Sequence, residues 1–367
     1  MTKPNLTYAG SGLNYDALDP FKRAAQKAAL ATAGNINRFG LSEVTASRGE
    51  SAYLIEAPDH YLAHVEEGLG TKNLVADAVH EITGKHYYGA LAQDTVAMIV
   101  NDMITLGALP ISVAMHVGVG DTAWFAEAER TAGLVAGWKK ACDLSRCVWG
   151  GGETPGLGGV VVPGTVVLSG SSVGIIKPKS RLITGHIEDG DAIIMFESTG
   201  IHANGLTLAR KIAETTGYEA VLSDGRLYGE ALLEPTHIYV PVVEDCLDAG
   251  IKLHYAVNIT GHGWRKLMRA VEPFIYEIDH IPEPQPVFKF MQEHGPVDDA
   301  EAYGNFNMGA GFAVYAGLKD AERIVAVAET HGIKAWVAGG IRKDGNHKRV
   351  VIKPKNIIYE GETLNVR

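Results

Sequence analysis

The stretch HVEEGLGTKN, residues 64–73, places Glu66 and Glu67 directly before a glycine turn that closes on Thr71-Lys72. A P-loop needs its lysine ahead of the hydroxyl residue, so this turn is not one. The same residue types can still handle a polyphosphate. Carboxylates hold Mg2+, a hard cation that prefers oxygen, while a lysine neutralises phosphate oxygens. Neighbouring residues of a strand face opposite ways, so only one acid can face a cleft. Alternation alone leaves open which of the two it is, while Gly68 and Gly70 let the turn fit between metal and phosphate. The plain alternative is a solvated hairpin end with a weak surface ion pair.

Four further stretches carry side chains that ask for a partner. In VNDMITLGALP, Asn101 and Asp102 interrupt an apolar helical run, and Asp94 lies two turns earlier on the same face as Asn101. Carboxylates on a buried helix need a metal, a lysine or a backbone donor. A helix C-terminus disfavours an anion, so a role for Asp102 as a local cap is weakly supported. WGGGETPGLGG offers the backbone N–H groups of Gly150, Gly151 and Gly152 as an anion nest, with Glu153 and Thr154 at its edge, or else forms a mobile surface loop. STGIHANG holds His202 and Asn204 at the entry of a helix, where anions bind. NITGHG presents Thr260 and Gly261 in the same setting, or as an ordinary helix entry.

The elements that must position these groups can be outlined from periodicity and punctuation. Asp19-Pro20 opens a helix that Gly34 ends. SAYLIEA and YLAHVEE read as a hairpin across Pro58-Asp59-His60. Residues 89–106 form an apolar helix stopped by Gly107 and Pro110, followed by the strand ISVAMHVGV and one long helix from Thr122 to Leu144. The glycine stretch 150–159 is expected to be a loop, and VVPGTVVLSGSSVGIIK a strand. The polar segment 177–191 is expected to separate two domains. Beyond it come the strand AIIMFES and the helix LTLARKIAETT. Helices follow at 234–247, 263–270 and 318–331, with strands near 273–278, 311–316 and 334–338, and a closing hairpin. This mixed order predicts an α/β protein built of mixed α+β layers, not a TIM barrel or helical bundle. Its parts are residues 1–178, residues 179–345 and a tail, 346–367, packed on the second part.

Composition narrows the function classes. A net charge of −10 argues against a nucleic-acid-binding footprint. No apolar run reaches a membrane span, and MTKPNLTYAGSG lacks the core of a secretory signal. Three cysteines at irregular spacing make neither a disulfide framework nor a zinc site, so a cytoplasmic setting is expected. There is no G-x-S-x-G elbow, H-E-x-x-H, Rossmann fingerprint or Walker A.

In their order, these stretches resemble the aminoimidazole ribonucleotide synthetase family, also called phosphoribosylformylglycinamidine cyclo-ligase. LTYAGSGLNYDALDPFKR is similar to the family's Tyr-x3-Gly-Val-Asp-x-Asp-Ala segment, and EEGLGTK to its Thr-Asp-Gly-Val-Gly-Thr-Lys. DTVAMIVNDMITLGALP matches D-x-V-A-M-x-V-N-D-x4-G-A-x-P almost residue for residue. GGETPG, STGIHANGLTLARKI, LLEPTHIYV, NITGHG and FNMGAGF follow. The resemblance implies a two-domain fold and a homodimer whose N-terminal domains pair their strands. It implies ATP and Mg2+ as cofactors and a small-molecule nucleotide as substrate. ATP would activate the formyl oxygen of formylglycinamidine ribonucleotide, an internal nitrogen would close the imidazole, and ADP and phosphate would leave. Glu67 and Asp102 would bind metal, leaving Glu66 to face the solvent. Lys72, His202 and Asn204 would be catalytic. Asn14, Asp16, Gly68, Gly70, Thr71, Asp94, Asn101, the GGGET run, Thr260 and Gly261 would contact the nucleotide.

The chain departs from the family pattern at several of these positions. Glu67 stands where the family has aspartate, Asn14 where it has an acid, and His237 where it has arginine. Asn258 replaces a histidine, and His262 a glycine. Two alternatives therefore stay open: a related enzyme phosphorylating a different acceptor, and a non-catalytic nucleotide-binding dimer of the same fold. Selenophosphate synthetase is disfavoured because no cysteine precedes Cys142, and the hydrogenase-maturation dehydratase because the chain ends in Arg367.

Overall fold

The computed structural model describes residues 15–183, 185–295 and 297–364. Two sheets organise it. The first half of the chain supplies helix α1 (Tyr15–Leu30), strands β1 (Ser42–Glu43), β2 (Tyr53–Glu56) and β3 (Tyr61–Gly68), helices α2 (Lys72–Thr83) and α3 (Tyr88–Ile104), strand β4 (Leu109–Val119), helix α4 (Ala128–Leu144), and strands β5 (Val148–Glu153) and β6 (Val166–Ile176). The second half supplies β7 (Ala192–Glu197), α5 (Leu206–Thr216), α6 (Tyr228–Leu232), α7 (Val240–Asp248), β8 (Leu253–Asn258), β9 (Ile275–Ile278), α8 (Pro286–His294), α9 (Asp299–Asn305), β10 (Ala310–Ala316), α10 (Leu318–Thr330), β11 (Ala335–Arg342), β12 (Arg349–Ile352) and β13 (Ile357–Glu360).

The first sheet has the order β1-β2-β3-β6-β4-β5, and the second β13-β12-β9-β11-β7-β10-β8. β6 alternates strictly, with even-numbered residues inward on α3 and Val167 and Val173 outward. In the second sheet, β8 and β10 are buried along their whole length, with α3 packed on β8 and α10 on β7 and β11. Continuous apolar runs in β7 and β10 reflect that burial.

α3 is the element that joins the halves. Its residues are buried nearly all round, since it packs on β3, β6 and β4, on α2 and α4, and on α7 and β8. Such a position accounts for its apolar circumference. It also explains why its few polar side chains must all find protein partners or face a site.

The structure corrects several boundaries. α1 begins at Tyr15 and carries Pro20 inside it, so Asp19 is not an N-cap. The helix forgoes one hydrogen bond there. The expected long helix from Thr122 is a 3-10 turn, Thr122–Ala126, followed by α4. Of the helix expected at 234–247 only α7 forms, from Val240, and residues 234–239 before it are not helical. α2, α8 and α9 lie where no helix was expected. The Gly150–Gly152 run is strand β5, not a loop, paired in parallel with β4. A Cβ at Gly150 would lie 2.1 Å from the Ser112 hydroxyl, and one at Gly152 2.1 Å from the Met115 carbonyl. These glycines let two strands approach across a bulge.

Candidate active site

Glu67 and Asp102 meet in one cavity of about 260 Å³, which they share with Lys22, His262, Lys266 and Arg269. The two carboxylates and Lys22 come from three different elements, and the other basic side chains from a fourth. β3 alternates so that Glu66 is exposed and Glu67 turns inward, as expected. Asp102 lies in the last turn of α3 and is 8% exposed. Lys266 and Arg269 come from the 3-10 turn Gly263–Met268 and the residue after it. Lys22 reaches in from α1.

The electrostatics of the cavity are those of a cation site built beside an anion site. Burial, reinforced by the Asp102 charge, pushes the Glu67 carboxyl up to about 7. Burial pulls the Lys266 ammonium down to about 8, against the pull of Asp102 and Glu67. Two carboxylates sharing a partly dry pocket repel, and a bound divalent cation removes that repulsion. An oxygen-only donor pair is the set a hard cation such as Mg2+ takes, so the residues fit that ion. The basic side chains beside them suit phosphate oxygens.

Asn258, at the end of β8, donates through Nδ2 to Asp102 Oδ1 at 2.8 Å. The residue in the family's histidine position thus holds one carboxylate oxygen of the cavity in place. Lys266 Nζ donates to Thr260 Oγ1 and lies 3.5 Å from the Asn258 carbonyl. Gly261 and Asn204 are neighbours, with a Cβ at Gly261 falling 3.8 Å from Asn204 Oδ1. His262 sits at φ +69°, the left-handed region, which accounts for glycine being the family residue there. Arg269 is fixed across the halves: its guanidinium donates to Ser51 Oγ at 2.7 Å and to the Gly49 carbonyl at 2.8 Å.

Other expected site residues are occupied elsewhere. Lys72 is fully buried, and its Nζ makes a 2.7 Å ion pair with Asp94 and donates to the carbonyls of His202 (2.9 Å) and Glu234 (3.0 Å). An ammonium has three N–H groups, and three oxygens surround them. Burial pulls the Lys72 ammonium down and the Asp94 carboxyl up, and the ion pair opposes both. Asp94 also accepts from the Thr236 backbone N–H at 2.9 Å and from its hydroxyl. Asn101 donates to the His237 carbonyl at 2.8 Å and accepts from the Tyr239 N–H at 3.0 Å. In this structure Lys72, Asp94 and Asn101 thus clamp residues 202 and 234–239, and none of the three lines the cavity.

His202 is also internal. Its Nε2 accepts from the Thr199 N–H at 3.2 Å, and burial holds the imidazole well below its ordinary value, so it is neutral near pH 7. Gly311 makes room for the ring: a Cβ there would lie 2.5 Å from His202 Cε1. In this geometry His202 holds its own loop through Thr199. Gly150, Gly151, Gly152 and Glu153 lie at the far edge of the first sheet, with β6 and β4 between them and β3. Three strand spacings amount to roughly 14 Å. Thr154 follows them, exposed, and within one chain this run is not brought to the cavity. Gly68, Gly70 (φ +73°) and Thr71 form the turn from β3 into α2. Asn14 and the side chain of Asp16 lie outside the described residues.

The cations Lys22, Lys266 and Arg269 were not anticipated. For Lys266 and Arg269 the signal was present in GHGWRKLMR, where basic residues recur just after a glycine turn.

Residues 49–176 match the profile of the AIR synthase related protein N-terminal domain, and residues 188–352 that of its C-terminal domain. The chain is 34% identical over 341 residues to the phosphoribosylformylglycinamidine cyclo-ligase of Methanococcus maripaludis, covering 92% of each chain. It is 36% identical over 292 residues to that of Methanocaldococcus jannaschii, covering 78% of this chain and 80% of the relative. Among solved structures, T. maritima PurL complexed with FGAR superposes with a TM-score of 0.58 at 15% identity, over 91% of this chain and 50% of that one. AaThiL complexed with AMPPCP and TMP gives 0.55 at 13% identity, over 84% and 89%. Those two likenesses concern the fold. With both domain profiles matched in order and relatives above 30% identity along nearly its whole length, this chain belongs to the AIR synthase family of phosphoribosylformylglycinamidine cyclo-ligases.

Proposed function

We infer that the protein is an ATP-dependent cyclo-ligase that converts formylglycinamidine ribonucleotide to aminoimidazole ribonucleotide, with ADP and phosphate released. The observation that carries this reading is the cavity in which Lys266 and Arg269 face Glu67 and Asp102, both from the stretches through which the chain resembles its family. Transfer of the γ-phosphoryl group to the formyl oxygen turns that oxygen into a leaving group. Attack by the substrate's own nitrogen forms the C–N bond, and the oxygen departs with phosphate. Such a sequence asks the protein for positioning, charge balance and exclusion of water.

Glu67 and Asp102 would hold Mg2+, which when bound supplies charge neutralisation to the triphosphate. Asn258 keeps Asp102 aimed, and Lys266 with Arg269 binds phosphate oxygens beside it. The ammonium of Lys72 takes no part; GLGTK contributes its turn and the start of α2. Asn204, Thr260 and Gly261 line the approach from the second sheet. We also propose a cytoplasmic homodimer, with residues 1–178 and 179–345 as its domains and 346–367 as the tail. Supporting the dimer, Ile111, Val167 and Val173 expose apolar surface on the first sheet. Among the described residues, no helix is long and apolar enough to cross a membrane.

The test is incubation with Mg-ATP and formylglycinamidine ribonucleotide while ADP and aminoimidazole product are followed together. Stoichiometric ADP and product are expected. ADP release that depends on a different acceptor would replace the cyclo-ligase reading, and ATP binding without turnover would reject the enzyme reading.

A further inference from the structure

A second cluster of ligand atoms lies at the C-terminal end of α2. His80 in the last turn of α2, His86 in the link to α3 and Glu127 just before α4 each offer one donor atom, all within 4.8 Å of one another. Among the described residues this is the one group of three His, Cys, Asp or Glu side chains so arranged. None of them belongs to the cavity of Glu67 and Asp102.

We propose that His80, His86 and Glu127 bind a divalent transition-metal ion of the Zn2+ class. His80 Nδ1 lies 3.1 Å from the Lys85 carbonyl. A carbonyl only accepts, so Nδ1 carries the proton and the Nε2 lone pair is left for a metal. Backbone carbonyls fix metal-binding histidines in this way. His86 Nε2 stands 2.8 Å from Glu127 Oε1, and the two imidazoles stack with centroids 4.0 Å apart and planes 17° from parallel.

The donor set selects the metal. Two imidazole nitrogens and one carboxylate suit Zn2+, Ni2+, Co2+ or Cu2+, whereas Mg2+ takes oxygen ligands. Three protein ligands leave a fourth position open. Nearby charges are balanced: Arg130 Nη1 lies 3.4 Å from Glu127 Oε2, and Asp77, which accepts from the Tyr88 hydroxyl at 2.8 Å, sits one turn before His80. A bound ion would fasten the end of α2 to the start of α4. The site stands independently of the cyclo-ligase reading.

Metal-stripped full-length protein would be titrated with Zn2+ against a chromophoric chelator, and separately with Co2+ while visible absorption is recorded. The wild type is expected to take up one Zn2+ per chain, to show Co2+ d–d bands, and to melt at higher temperature with Zn2+. His80→Ala and His86→Ala are each expected to weaken binding by about tenfold or more and to lose the bands. A His80→Ala/His86→Ala variant with wild-type circular dichroism and unchanged Zn2+ affinity would overturn the site. So would wild-type protein without Co2+ bands, whatever the variants do.

Discussion

Replacing Lys72 by methionine separates the two parts this residue could play. In the structure its ammonium is enclosed by Asp94 and the carbonyls of His202 and Glu234. Methionine keeps most of the stem volume but removes the charge. Asp94, itself fully buried, then has only Thr236 as donor. Breaking a buried pair on one side costs about 3–5 kcal/mol, because a charge is left uncompensated. Two carbonyls also lose a donor, but these losses overlap with the first and do not simply add. The expected loss in urea unfolding at pH 7 is therefore about 3–5 kcal/mol. The sign of its pH dependence follows from Asp94. Without Lys72 its folded carboxyl moves further above the unfolded value, so the penalty is full at high pH. It shrinks as the pH falls through that raised value towards the ordinary carboxylate range. Lys72→Met/Asp94→Leu, which removes both charges, should recover much of the loss. The reasoning is refuted if Lys72→Met unfolds within about 1 kcal/mol of wild type and only its KM for ATP rises. That outcome would return the lysine to the phosphate.

Three other outcomes follow from the same geometry. Asp102→Asn retains an acceptor for Asn258, so the fold should persist by circular dichroism while Mg-dependent turnover falls roughly a hundredfold or more; near-normal activity would end the metal assignment. With Glu67 at about 7, Mg2+ affinity of the free protein should climb between pH 6 and 8 as the carboxyl ionises, and Lys266→Met should move that climb to higher pH. An affinity flat across this range would contradict the raised carboxyl. Gly152→Ala places a Cβ against the Met115 carbonyl and should destabilise by about 1–3 kcal/mol in thermal or urea unfolding; a neutral result would show that β5 yields easily.

Much of the architecture was legible because its signals are local. The hairpin of β2 and β3 announces itself by alternation around Pro58-Asp59-His60, and α3 by its length and its stop at Gly107. The facing of Glu67 followed from strand alternation together with its place at the family's aspartate. Other features depend on partners far away in the chain. α2 was hidden because Lys72 looked like the end of a loop, although Leu74, Val75, Ala78, Val79 and Ile82 repeat at helical spacing. GGGET looked like an anion nest because the sequence does not show that β4 lies against it. Lys72 looked like a phosphate ligand because its acceptors, at Asp94, His202 and Glu234, come together only in the folded chain. In each case an absent packing partner made a buried group look available.

α3 shows why the clamps matter to chemistry although they never touch the nucleotide. Asp94 and Asn101 are two turns apart on one face, and both are tied to residues 236–239. Asp102, one residue beyond Asn101, points about 100° further round the helix. The hydrogen bonds of Asp94 and Asn101 thus fix the rotation of α3 about its axis, and that rotation aims Asp102 at the cavity and at Asn258. A buried ion pair is a costly way to gain stability, but it penalises a wrong register heavily. Lys72 sits four residues beyond Gly68, the last residue of β3, so the same pair also anchors the turn that follows Glu67. The two carboxylates of the candidate metal site, 35 residues apart in the chain, are therefore set relative to each other through a charge pair neither of them joins.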